Sequence, residues 1–383
     1  MNFVYLSPSF PPNFQDFIKR LHGLGANVLG LGDTPYAELA PELQASMSEY
    51  YKVDDLHNYD QLLRACGFLT HKHGRLDRLD SLQEYWLEVE AKLRTDFNIA
   101  GIKTDTIHVV KSKSRMKERY RQFGVPVARG RIVHTFEEGQ ALAAEIGYPL
   151  VAKPDIGVGA AATYRLENEG AMRIFFHDKP AIDYLLEEYI QGTLVSFDGL
   201  TDRDGNVLFS ASHVFGRGIM ETVNEKDHLF YYSERVIPKD LEELGLITVK
   251  AFDVRERFFH FEFFRTERGL VALEVNLRPP GGLTANMFCY ATDSDIFRQW
   301  ASVVMHNRLD GEWNRKYHVG YVSRKEHKSY THDHANVLAH SGALVVHHAP
   351  IEPIFRGALG DYGYVLRSPD LEPVLEATRY IQA

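Results

Sequence analysis

The chain has 383 residues, 44% of them hydrophobic and 25% charged, with a formal net charge of −9; that length suggests two or three domains and that composition an ordinary globular protein. An acidic balance without any block of consecutive Lys and Arg argues against nucleic acid as the main partner, and no run approaches ~18 apolar residues, so no membrane span is expected. Two cysteines without paired spacing, Cys66 and Cys289, argue against a disulfide scaffold or a cysteine zinc site, and with no signal-peptide pattern at the N-terminus the default location is the cytoplasm.

Asn2–Leu6 reads as a short strand, and Phe14, Phe17, Ile18 and Leu21 recur at helical spacing before Gly23 and Gly25. A second strand over residues 27–31 completes a β-α-β unit of parallel-sheet type. Gly30-Leu-Gly32-Asp33 is not a dinucleotide fingerprint. Helices are expected over 42–50, 59–66 and 81–96, with a domain boundary near residue 105. A basic helix over 111–123, a strand over 128–133 and a helix over 136–146 follow.

Next comes an apolar strand over 150–154 that carries Lys153, and then Asp155-Ile-Gly157-Val-Gly159-Ala-Ala-Ala162. A small-residue loop after a strand lysine can wrap phosphates with backbone N–H groups while the ammonium supplies charge; an ordinary exposed loop is the alternative. A Rossmann turn is rejected, because no helix of adequate length follows and no acidic residue ends a second strand about 20 positions on. Residues 182–190 read as a strand running into the acidic linker Glu187-Glu188-Tyr189-Ile190. A linker whose backbone is outside a ladder can offer N–H and C=O to a purine edge. Strands over 195–200 and 207–215 are joined by an Asp-Gly-Asn turn, and a helix over 241–250 leads into a hairpin.

That hairpin, within 258–282, is the centre of the chain. Its two apolar runs flank Thr266-Glu267-Arg268-Gly269, read as a three-residue loop. Alternation puts Val271, Leu273, Val275 and Leu277 on one apolar face and Glu274, Asn276 and Arg278 on the other. With Arg268 at the loop centre, Glu262 falls directly across from Glu274. Like charges opposed on a sheet repel, so a hard divalent cation held by the carboxylates, an amide oxygen and phosphate oxygens fits between them. The alternative is a hairpin with one face simply in water. Residues 294–307 form a further helix. The mixed tail from Asp310 has strands expected over 319–323 and 343–347. His318, His327, His332, His334, His340, His347 and His348 lie in it without recognisable metal-ligand spacing, so surface and core roles are expected.

In order and spacing these pieces resemble the ATP-grasp superfamily, in its carboxylate–amine or carboxylate–thiol ligase branch, over roughly residues 111–286. The resemblance implies a parallel β-α-β N-terminal domain (1–105), an ATP-grasp fold of two α+β subdomains clamping ATP (106–185 and 186–308) and a small C-terminal α+β domain (309–383). It implies that Lys113, in a pattern with Ser112 where the family has Asp, and Lys153 hold ATP, that Gly157 and Gly159 belong to the loop over the triphosphate, and that Glu187, Glu188 and Ile190 form the adenine hinge. It implies further that Glu262, Glu274 and Asn276 bind Mg2+, or Mn2+ in its place, and that Arg278 stabilises a phosphorylated intermediate. The family's ribose-binding Glu is replaced by Leu194, for which Asp198 is the candidate substitute. The expected partners are a small carboxylic acid and an amine, with room for a homodimer and for Ser9, Phe10, Pro280 and Gly281 beside the acceptor. A small-molecule kinase and a non-catalytic nucleotide-binding subunit are the rival readings.

Overall fold

A computed structural model describes residues 1–157, 162–216 and 227–383. Strands β1 (Asn2–Leu6), β2 (Asn27–Gly32), β3 (Glu49–Lys52) and β4 (Arg78–Asp80) form a parallel sheet in the order β3-β2-β1-β4. β1 is buried on both faces: Phe3 and Tyr5 join one apolar cluster and Val4 and Leu6 another, the period-2 division that a covered parallel strand requires.

Two expected helices are shorter than their periodicity suggests. Over 42–50 only Pro41–Ala45 is helical, and Glu49–Lys52 pairs in parallel with β2 instead. Over 81–96 the helix is Leu87–Asp96. Ahead of it, the Ser81 N–H and hydroxyl donate to Glu90 and the Leu82 N–H donates to Asp80 at 2.7 Å. These local side-chain acceptors compete with the helical ladder, and Leu82 sits at φ 59°.

β5 (Gly130–Val133), β6 (Leu150–Pro154), β7 (Tyr164–Leu166) and β8 (Tyr184–Glu188) form an antiparallel sheet in the order β5-β8-β6-β7. Helices Phe136–Ile146 and Glu169–Asp178 supply Leu142, Met172 and Phe175 to its core. The remaining strands are β9 (Thr193–Thr201), β10 (Val207–Phe215), β11 (Phe230–Ser233), β12 (Phe258–Thr266), β13 (Gly269–Asn276), β14 (His318–Arg324), β15 (Val345–Pro350) and β16 (Tyr362–Ser368). Among the described residues they make one antiparallel sheet, β13-β12-β9-β10-β11-β14-β16-β15, so the strands after Asp310 extend it. No helix among the described residues is long and apolar enough to cross a membrane.

The β12–β13 hairpin reaches its expected register by another route. Thr266 pairs with Gly269, so the turn has two residues, Glu267 and Arg268, with Gly269 at φ 108°. A bulge at Leu273 then shifts the ladder between Phe263↔Ala272 and Glu262↔Glu274. It also splits the face expected to be uniformly apolar. Val275 and Leu277 share a core with Leu270 and Ala272, whereas Leu273 packs on the other side with Phe264 and Leu194. A bulge moves each later side chain to the opposite face of its strand.

Candidate active site

Glu262 and Glu274 lie directly across the hairpin, and Asn276, two positions on and buried, pairs with His260. Burial raises the Glu274 carboxyl above its ordinary range; Lys113 opposes this, and the Glu262 charge adds to it. For Glu262 burial also acts upward, but the hydrogen bond and charge of His260 and the Arg278 charge hold it below the usual range. Lys113 Nζ is 3.4 Å from Glu274 Oε1 and donates to the Gly157 carbonyl at 3.3 Å.

The helix expected over 111–123 is two helices, Ile107–Lys111 and Lys113–Gln122, divided at Ser112. Ser112 caps the second helix by accepting from the Arg115 N–H, and its hydroxyl donates to Asp155 Oδ2 at 2.7 Å. The Ser114 N–H donates to Asp155 Oδ1 and the Lys113 N–H to the Asp155 carbonyl. Asp155, immediately after β6, thus ties the lysine helix to the loop. Gly157 is the last residue described there; Gly159 lies outside the described residues.

Lys153 on β6 is joined to the site by a buried triad. Glu187 Oε1 is 2.6 Å from Lys153 Nζ, and Oε2 is 2.6 Å from Lys117 Nζ. Burial would raise the Glu187 carboxyl, but the two ammoniums outweigh it and bring it down to about 2; burial pushes Lys117 below its ordinary value. This revises the hinge. Glu187 lies within β8, paired with Gly130 on one side and Val151 on the other, and its side chain serves the lysines. The Glu188 N–H goes to Arg129 and the Tyr189 N–H to Pro149, and the Glu188 carboxylate grips Arg129. The linker outside named strands is the short stretch from Tyr189 through Ile190 to Gly192.

Asp198, the expected substitute for the ribose-binding Glu, has both carboxylate oxygens engaged within the protein. It is fully buried on β9, where Oδ2 accepts from Ser196 Oγ and lies 2.7 Å from His213 Nδ1, and Oδ1 meets His260 Nδ1. His260 Nε2 reaches Glu262 Oε1 at 3.1 Å. Burial lowers the His260 pKa, but Asp198 and Glu262 raise it to about 9 overall, so a cationic imidazole stands behind one metal-candidate carboxylate. Leu194 is buried in the apolar cluster beside Leu273 and Phe264, where a carboxylate would lose its hydration.

Arg278 opens into a cavity of about 430 Å3 lined by Phe10, Glu84, Arg278, Gly281, Ile351 and Phe355 among others. Of the expected acceptor neighbours Phe10, Arg278 and Gly281 line it, whereas Ser9 bonds Thr34 and Pro280 is buried. Glu84 stands between Arg278 (3.3 Å) and Lys111 (3.4 Å). A larger cavity of about 700 Å3 opens beyond Leu277. Its Arg78, Arg94 and Arg257 are already paired with Glu256, Glu90 and Asp80, and neither Glu262, Glu274 nor either lysine of the phosphate loop lines it. The roles of Lys117, His260 and Glu84 are absent from the sequence reading because each partner is at least two residues and mostly tens of residues away, with no local pattern to mark it.

A cation suits the hairpin. Two carboxylates face each other there, one driven toward its neutral form by burial and by the other even with Lys113 beside it. Among the described residues no three His, Cys, Asp or Glu side chains gather as a metal site. Glu262, Glu274 and Asn276 would therefore share Mg2+ with phosphate oxygens and water, its usual mode of binding.

A profile for the ATP-grasp domain matches residues 146–287. The chain is 24% identical over 253 residues to the L-arginine-specific L-amino acid ligase of Bacillus subtilis, covering 62% of this chain and 59% of that protein. It therefore spans under two thirds of this curated relative's length. Its fold is similar to the crystal structure of L-amino acid ligase from Bacillus licheniformis, with TM-score 0.74, 16% identity and coverage of 99% and 96% of the two chains. It is also similar to the biotin carboxylase domain dimer of Hydrogenobacter thermophilus 2-oxoglutarate carboxylase with MgADP, with TM-score 0.70, 18% identity and coverage of 96% and 86%. Residues 146–287 thus match the ATP-grasp domain, and the fold of the chain is similar to that of these solved structures.

Proposed function

We propose that this protein is an ATP- and Mg2+-dependent ligase that activates a carboxylate as an acyl phosphate and joins it to an amine, releasing ADP and phosphate. The observation that carries the reading is the line from Lys113 and Lys153, through the Glu262–Glu274 pair, to Arg278 and the cavity beyond it. The amino-acid ligases it resembles support an amino acid as one substrate.

In the first step a carboxylate oxygen bonds to the γ-phosphorus as the bridging P–O bond to ADP breaks. In the second the amine nitrogen bonds to the carbonyl carbon, the C–O bond to phosphate breaks, and one amine proton is lost to solvent. Catalysis of this kind is mainly positioning and charge neutralisation. Lys113 and Lys153 bear on the triphosphate, and Lys117 and Glu187 hold Lys153 in place. Ile190 and its neighbours offer adenine the linker backbone. Glu262, Glu274 and Asn276 would hold Mg2+, which supplies charge neutralisation at phosphate oxygens. Arg278 faces the acyl phosphate. Glu274→Ala is expected to lower ATP-dependent product formation by at least roughly 100-fold, the scale of losing a main electrostatic stabiliser. Undiminished turnover by that variant would contradict the assignment.

A further inference from the structure

The cavity at Arg278 is polar at one end and apolar along its walls. Phe10 and Phe355 come from opposite ends of the chain and stack on each other in its lining, with centroids 5.7 Å apart at an interplanar angle of 24°. Phe10 is 37% exposed, although the chain buries most of its phenylalanines. Leu82, Leu283, Ile351 and Leu359 continue the wall. At the inner end two cations, Arg278 and Lys111, share the single carboxylate of Glu84 at 3.3 and 3.4 Å. Arg278, which lines the cavity, presents its guanidinium to a substrate carboxylate, and Glu84 beside it can meet an ammonium. The volume of about 430 Å3 falls within the range of small-molecule clefts.

We propose that this cavity selects, as the acid component, an α-amino acid with a bulky apolar side chain. Its carboxylate lies at Arg278, its ammonium at Glu84, and its side chain between the Phe10–Phe355 pair and the aliphatic wall. The inference rests on the ligase reading and adds the substrate class. Small and charged side chains are disfavoured for separate reasons: glycine leaves the apolar wall in water, and aspartate, lysine or arginine would lose hydration against it. Burial of one large apolar side chain predicts about a 10- to 100-fold preference over glycine.

The test uses the full chain with Mg-ATP and hydroxylamine as the amine. The carboxylate takes the γ-phosphoryl group from ATP, leaving ADP. Hydroxylamine nitrogen then displaces phosphate, giving a hydroxamate, read as its coloured complex with added ferric ion, that reports the acid alone. Leucine, methionine and phenylalanine are expected to exceed glycine and aspartate in kcat/KM by about 10- to 100-fold. The desamino analogue of leucine should fall by about tenfold or more for want of the Glu84 contact. Phe355→Ala should raise KM for leucine more than it lowers kcat and bring the leucine-to-glycine ratio toward one, while Phe355→Leu retains most of the preference. Phe10→Ala checks the other ring of the same stacked pair. Hydroxamate from charged or small acids in preference to leucine would leave the ligase reading standing and overturn the specificity. A preference untouched by both alanine variants would overturn the assignment to this cavity. No hydroxamate from any acid, with ADP binding intact, would overturn both.

Discussion

Glu187 shows how one buried residue can serve stability and chemistry together. Its carboxylate pairs with two ammoniums where little water reaches, so Glu187→Gln strands Lys117 and Lys153. A loss of about 3–5 kcal/mol is expected, the scale of breaking a buried pair from one side. Replacing Lys117 by Met in the same variant should recover part of it, and denaturant midpoints with unchanged m-values would measure both. The pH dependence follows from the sign of the shift. A carboxyl near 4.5 in the unfolded chain and about 2 in the fold adds stability that is complete above the unfolded value and is lost as pH falls toward about 2. The difference amounts to about 3 kcal/mol. A Glu187→Gln variant should thus show a flatter acid limb than the wild type; parallel limbs would contradict the triad.

Elements were legible where periodicity and chemistry agreed. The parallel β-α-β opening, β6 with its lysine, β9, β10 and the central hairpin all follow from alternation and turn residues. The hairpin register is instructive, since an extra residue in the loop and an extra residue in a bulge give the same pairing at Glu262 and Glu274. Which of them holds it depends on what Leu273 can pack against, namely Leu194 and Phe264, and nothing local records that. The helix misjudged over 42–50 is a similar case, because β3 exists through its pairing to β2. Ser112, the departure from the family pattern, also finds its reason in a distant residue. With Asp155 Oδ2 2.7 Å from its hydroxyl, an aspartate at this position would meet a like charge. Ser112→Ala should cost about 1 kcal/mol as a lost cap. Ser112→Asp, though it restores the family residue, should be no more stable than Ser112→Ala and should weaken Mg-ATP binding by loosening the Lys113 helix. A Ser112→Asp protein more stable than wild type would show that Asp155 does not constrain this end of the helix.

At the scale of the whole molecule, the N-terminal sheet is built into the rest. Phe17 meets Phe258, Phe297 and Trp300 edge-on, and Arg257 pairs with Asp80 across the same junction. Residues 1–105 alone would expose Phe3, Tyr5, Phe17 and Ile18, so that fragment is expected to associate or to lack a cooperative unfolding transition; a monomeric, cooperatively unfolding fragment would contradict this. The junction matters for function because the Arg278 cavity draws Phe10 and Glu84 from one side and Gly281 and Phe355 from the other. The most direct test of the account follows ADP and phosphate together while the intact protein is given Mg-ATP and paired acids and amines. The account predicts equal release of both products, dependent on both substrates, with a new amide formed. ADP without free phosphate would mark a kinase, and bound ATP with no turnover under any pair would contradict the proposed ligase.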